Sequence, residues 1–125
     1  MEATTAARRD VSREKARAGA IHLDATVPGW AGRIDVDRLD LNSSADDIPG
    51  QLFGDYLSGI EAVRPGSLFR PSHDPERPPI LTTEAILWTC EHGFNSFSSS
   101  LLRVHSTYEG LKLAWIDEVK ARAGQ

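Results

Sequence analysis

Five of the seven prolines in this 125-residue chain fall between Pro65 and Pro79, and that clustering fixes where regular structure must stop. Each proline removes a backbone donor and locks φ, so a run of them cannot continue a helix or sit inside a sheet. Arg64, Pro65 and Gly66 therefore end whatever precedes them, and residues 64–80 read as a proline-rich loop without regular structure. Pro28 and Gly29 make a second firm break, followed by Trp30, a large side chain suited to anchoring the turn on a core.

Residues 1–10 carry no large apolar side chain after Met1 and read as a disordered tail. Val11 to about Thr26 is helix-compatible, with Asp10 or Ser12 as cap, Val11, Ala18, Ile21 and Ala25 on one face, and Gly19 as a weakness. Ile34, Val36, Leu39 and Leu41, interrupted by Asp35, Asp37 and Asp40, fit neither helix nor strand and imply an irregular segment. Asp46 and Asp47 before Ile48 and Pro49 mark a helix start, because carboxylates suit the positive end of the dipole and proline is tolerated in a first turn. Ile48, Leu52, Tyr56, Ile60 and Val63, widened by Phe53 and Leu57, predict one helix over 48–63.

Thr82 or Thr83 caps a third helix running through Ile86, Leu87, Trp88 and Cys90, with Gly93 as left-handed C-cap and Phe94 behind it. In the serine-rich stretch Asn95 to Val104, Phe97, Leu101 and Leu102 fit a turn of helix or an irregular loop equally well. Ser106 and Glu109 form an S-x-x-E capping box for a last helix to residue 122, lined by Tyr108, Leu111, Trp115 and Val119. Glu118 can pair with Arg122, and Gly124 closes the run. The fold class expected is mainly α: one helical domain over 11–125, of about four helices, with a proline-rich loop.

Composition narrows the function classes. Hydrophobic residues at 40% and charged ones at 26% match a folded globular chain. A net charge of −4 gives nucleic acid no advertised footprint, while not forbidding it. The single Cys90 cannot form an internal disulfide, no run of 18 apolar residues exists, and Met1 to Asp10 lacks the apolar stretch of a secretory signal. A cytoplasmic protein without membrane attachment is the expectation.

Catalytic and cofactor signatures do not emerge. Neither G-x-x-x-x-G-K nor G-x-G-x-x-G occurs. Of His22, His73, His92, His105 and Cys90, only Cys90 and His92 are close in sequence, and two residues apart on a helix they point to different faces, so no metal site is expected. Asp35, Asp37 and Asp40 fail the EF-hand pattern, which needs an oxygen ligand at Leu39 and a glycine at Asp40. Ser98 to Ser100 is not framed as a nucleophile elbow, and an enzyme would need a site assembled from His73, Asp74, Asp35, Asp37 or His105. We expect no catalytic residues, no cofactor and no metal.

The segment VPGWAGRIDVDRLDLNSSADDIPGQLFGDYLSGI, Val27 to Ile60, together with EHGF at Glu91 to Phe94 and YEGLKLAWIDEVKAR at Tyr108 to Arg122, resembles a set of small uncharacterised proteins of actinobacteria and their tailed phages. Relatives in that set carry a C-x-x-C where this chain has Ser44 and Asp47, which favours a structural helix start here over a thiol-based site. The resemblance implies a phage or prophage setting and no mechanism.

Two functions fit. One is a non-enzymatic phage accessory protein that binds a host protein through the proline-rich loop, with Leu68 and Phe69 as apolar anchors and Arg70 and Arg77, together with Arg64, as donors to partner carboxylates. The other is a small DNA-associated regulator using a helix-turn-helix-like pair about Gly93, from Thr83 to Val104.

Overall fold

The computed structural model describes residues 9–70, 74–95, 97–99 and 104–123. The chain runs from β1 (Arg9–Asp10) into α1 (Ser12–Thr26) and a single 3-10 turn at Trp30–Arg33. Then come α2 (Ile48–Phe53), α3 (Tyr56–Val63), β2 (Leu68–Phe69), β3 (Ile80–Leu81) and α4 (Thr83–Glu91). It closes with β4 (Phe97–Ser99), β5 (Val104–Ser106) and α5 (Tyr108–Ala123). The protein is mainly helical, with five α-helices among the described residues rather than about four.

The extra helix comes from a break inside 48–63. Gly54 takes φ +100° and Asp55 then caps α3 by accepting a hydrogen bond from Ser58 N at 3.1 Å. The apolar spacing runs straight through because Leu52, Ile60 and Val63 are buried from both sides of the break, while Phe53 is 38% exposed. Asp47 caps α2 as expected, through Gly50 N. α2 and α3 meet where Gly59 lies against Pro49; a side chain there would sit 2.9 Å from the proline Cα and carbonyl oxygen.

The core is built around three rings. Trp30 and Trp115 are buried and meet edge to face at 5.6 Å, and Phe94 stacks on Trp115 at 5.4 Å. Both indole N–H groups are used: Trp115 Nε1 donates to the Gly93 carbonyl at 2.7 Å, and Trp30 Nε1 to Asp24 Oδ1 at 2.9 Å. Arg122 from α5 reaches the same Asp24 with two donors at 2.9 Å, also holds Glu118, and lies over the Trp30 ring. The expected Glu118–Arg122 pair thus belongs to a clamp between α5 and α1.

α1 packs along α5, but not by the face its larger apolar residues suggest. Val11, Ser12, Ala16, Gly19, Ala20 and Leu23 are buried, whereas Ile21 is 53% exposed and Ala25 is exposed. Small residues win because they let the helix approach closely: a Cβ at Gly19 would overlap the His92 carbonyl oxygen and stand 2.7 Å from the Trp115 ring. Gly93 follows α4 at φ +76°, as its place after the helix implies.

Four further expectations are corrected. Arg9 and Asp10 are not tail but β1, pairing in parallel with Val104 and His105; residues 1–8 lie outside the described residues. The serine-rich stretch supplies β4 and β5, antiparallel with Phe97 opposite Ser106, so the sheet order is β1-β5-β4. The proline-rich loop is flanked by a short antiparallel ladder, Leu68 opposite Leu81 and Phe69 opposite Ile80. Finally, the first turn of α5 is capped by Thr107, whose Oγ1 accepts from Gly110 N at 3.0 Å, one residue beyond the expected Ser106. Gly124, the expected terminator, lies outside the described residues.

Candidate functional site

Two regions combine accessibility with chemistry: the β2–β3 hairpin and a small cavity beside Asp47. In the hairpin, pleating sorts the side chains. Leu68 and Leu81 share one face; both are half-buried, and Leu81 packs on the core. Phe69 and Ile80 share the other face and stay 45% and 46% exposed. The strand ends are tied down by Thr82 N donating to the Ser67 carbonyl at 2.8 Å, with Ser67 itself buried. Glu61 of α3 accepts from Gly66 N at 2.9 Å and Leu68 N at 3.0 Å, and these two amides hold its carboxyl below the usual range.

The arginines divide. Arg70 turns its guanidinium inward onto the Pro75 and Arg77 carbonyls and so closes its own loop. Arg64 donates to Ser67 Oγ at 3.2 Å. Arg77 is exposed, and its guanidinium makes no hydrogen bond or ion pair among the described residues, which leaves it available to a carboxylate from outside. Directly after β3, Thr82 caps α4 by accepting from Ala85 N, and α4 leaves Ile86 and Leu87 at 44% and 57% exposure. Among the described residues, four of the seven large apolar side chains that stay exposed fall in the sequence between Phe69 and Leu87.

The cavity is an open depression of about 250 Å³ between the loop before α2, the start of α3, and the segments flanking β4 and β5. Leu41 and Phe94 form buried apolar walls, Tyr56 and Tyr108 add rings, and Asn42, Ser44, Asn95 and Asp47 bring polar groups. Asp47 is only 3% exposed. Its Oδ1 accepts from Gly50 N at 2.6 Å, and no other hydrogen bond to its side chain occurs among the described residues. Burial first, then the charges of Asp46, Asp55 and Asp40, push its carboxyl up to about 7 against the pull of that amide. Tyr108 donates to Asn95 Oδ1 at 2.9 Å. The Tyr56 hydroxyl is sealed from solvent with no hydrogen-bond partner at bonding geometry among the described residues, and burial, opposed by the nearby Thr89 hydroxyl, pushes its ionisation up to about 12.

The other candidate residues are spent locally. Asp35 and Asp40 accept from Asp37 N and Asn42 N, the usual work of aspartate in turns, and Asp46 pairs with Arg38 at 2.7 Å. Asp74 does the same for Glu76 N. His22 and His92 each donate a ring N–H to a backbone carbonyl, of Val63 and Trp88, and flank the Trp88 ring, His92 stacked at 4.1 Å. Burial lowers the His92 ionisation and raises that of the Cys90 thiol. His73 lies outside the described residues, and His105 sits in β5. Among the described residues no three His, Cys, Asp or Glu side chains converge as a metal would require, and no helix is long and apolar enough to cross a membrane.

A helix-turn-helix needs a second helix after Gly93, and strands β4 and β5 run there instead. Sequence reasoning missed the cavity because its walls come from residues as far apart as Leu41 and Tyr108. The one local signal was Asp47 three residues before Gly50 with no basic residue beside it. No family model, curated protein or solved structure matches this chain.

Proposed function

We propose that the chain is a small non-enzymatic accessory protein, in the phage or prophage setting implied by the resemblance, that binds a host protein through the β2–β3 hairpin and the adjoining face of α4. The observation that carries this reading is the cross-strand pair Phe69 and Ile80, about half exposed on a hairpin whose other face is turned to the core. An aromatic residue held rigidly by a paired strand loses little entropy on binding and is a typical anchor. Ile86 and Leu87 are further exposed apolar side chains on α4, and the exposed Arg77 offers a donor to a partner carboxylate.

Leu68 takes a supporting part by holding the hairpin to the body, and Arg70 shapes the loop rather than reaching outward. The test is affinity capture from host lysate with the native chain and with Phe69→Ala and Ile80→Ala, each checked for thermal stability. The reading expects one host protein to be recovered by the native chain and lost with either variant, a truncation worth about 2 kcal/mol or more of binding, roughly a thirty-fold weakening. Equal recovery by folded variants would refute it.

A further inference from the structure

The cavity beside Asp47 is independent of the hairpin surface and has the makings of a ligand site. We propose that it binds a small molecule carrying a primary ammonium group on a short aromatic or apolar stem. The volume, about 250 Å³, lies just under the usual range for ligand pockets and suits a molecule of about ten non-hydrogen atoms. Its composition is divided as such a ligand is: Leu41 and Phe94 are apolar, Tyr56 and Tyr108 present rings, and Asp47 is the acid.

The sign of the ligand's charge follows from what surrounds Asp47. The carboxyl is almost wholly buried, has one amide donor, and has no Lys, Arg or His within ion-pair distance among the described residues. The charged groups that act on it are Asp40, Asp46 and Asp55, all acidic, and the nearest arginine in that loop, Arg38, is paired to Asp46. A buried carboxylate without a counter-charge is costly, and a bound ammonium supplies both the charge and the hydrogen-bond donors the fold withholds. The aromatic side chains that line the same depression, Tyr56, Phe94 and Tyr108, suit the ligand's apolar stem. An anionic ligand would meet four carboxylates. A neutral one would leave the acid uncompensated.

Phenethylamine is a suitable probe, with 2-phenylethanol as its uncharged counterpart. Titration of the full chain, followed by amide NMR shifts at pH 8, should give saturable changes along Leu41 to Ala45 and at Tyr56 and Asn95, with Kd of about 1 mM or tighter. 2-Phenylethanol should bind at least tenfold more weakly. Asp47→Asn keeps an acceptor for Gly50 N and the side-chain volume, so it should fold and lose at least tenfold in affinity for the amine. Because the ammonium is held by the ionised carboxylate, native affinity should also fall when the pH is lowered from 8 to 6. Ser44→Phe, a change at an exposed residue of the cavity wall, should likewise block binding and serves alone if the Asp47 variant does not fold. No saturable shift, equal binding of the alcohol, or unaltered affinity in either folded variant would overturn the proposal.

Discussion

Gly19→Ala sets two effects of opposite sign against each other, and the structure says which wins. Alanine favours a helix by about 1 kcal/mol over glycine, partly by narrowing the unfolded ensemble. On an open helix surface that gain would stand. At Gly19 the new methyl would overlap the His92 carbonyl oxygen, which is backbone, and press on the Trp115 ring at 2.7 Å. Trp115 cannot yield freely, because it is fully buried, stacked on Phe94 and bonded through Nε1 to the Gly93 carbonyl. Overpacking of this kind costs about 1–3 kcal/mol, and loosening a buried hydrogen bond adds about 1–3 kcal/mol. The net expectation is a loss of about 1–5 kcal/mol, or a fall in Tm of about 4–20 °C for a chain of this size. Gly32→Ala is the matched control, since nothing lies within 4 Å of its Cβ position, and it should leave stability within about 0.5 kcal/mol or raise it slightly. Thermal and urea unfolding by circular dichroism would measure both. A Gly19→Ala protein as stable as the Gly32→Ala protein, or more so, would show that α1 does not approach α5 as described.

Three further outcomes follow from the charges and the indoles. Between pH 3.8 and about 7 Asp47 keeps its proton when folded and loses it when unfolded, so stability should fall as pH rises through that window, by up to about 4 kcal/mol. Asp47→Asn should flatten that slope and be the more stable protein at pH 8, as urea unfolding across pH would record. Arg122→Ala removes the two donors to Asp24, the bond to Glu118 and the contact with Trp30, and should cost about 1–3 kcal/mol in the same assay. Because Arg122 holds the Asp24 carboxyl below its ordinary value, the native advantage over that variant should be present above pH 3.8 and shrink as pH falls further. Trp115→Phe keeps most of the ring volume but strands the Gly93 carbonyl, and should cost about 1–3 kcal/mol in thermal unfolding.

What the sequence disclosed was what depends on near neighbours. α5 was legible because Leu111, Trp115 and Val119 recur every four residues and are all buried, and α2 because Asp47 stands three residues before the amide it caps. The face of α1 was misread because apolar weight points to Ile21, whereas the buried contacts are made by Ala16, Gly19 and Ala20, small residues that admit partners from α4 and α5. The break between α2 and α3 hid behind continuous apolar spacing; only Gly54 followed by Asp55 marked it. Strand pairing between Asp10 and His105 spans most of the chain, and no local pattern reveals it. The hairpin residues Phe69 and Ile80 sit beside the proline cluster, so the region was found while its division into an inward and an outward face was not. The cavity is long-range throughout, and its acid looked like a cap because it is one.

In the proposed function Phe69 and Ile80 face a protein partner rather than the body of the chain. Site-specific photo-crosslinking in host cells tests it most directly, with a benzophenone side chain placed at position 69, at position 80, and at Leu113, an equally accessible apolar position on α5 at 57% exposure. The account expects the same single host protein to be trapped from positions 69 and 80 and not from 113. Adducts absent at 69 and 80, or the same adducts from all three positions, would contradict it.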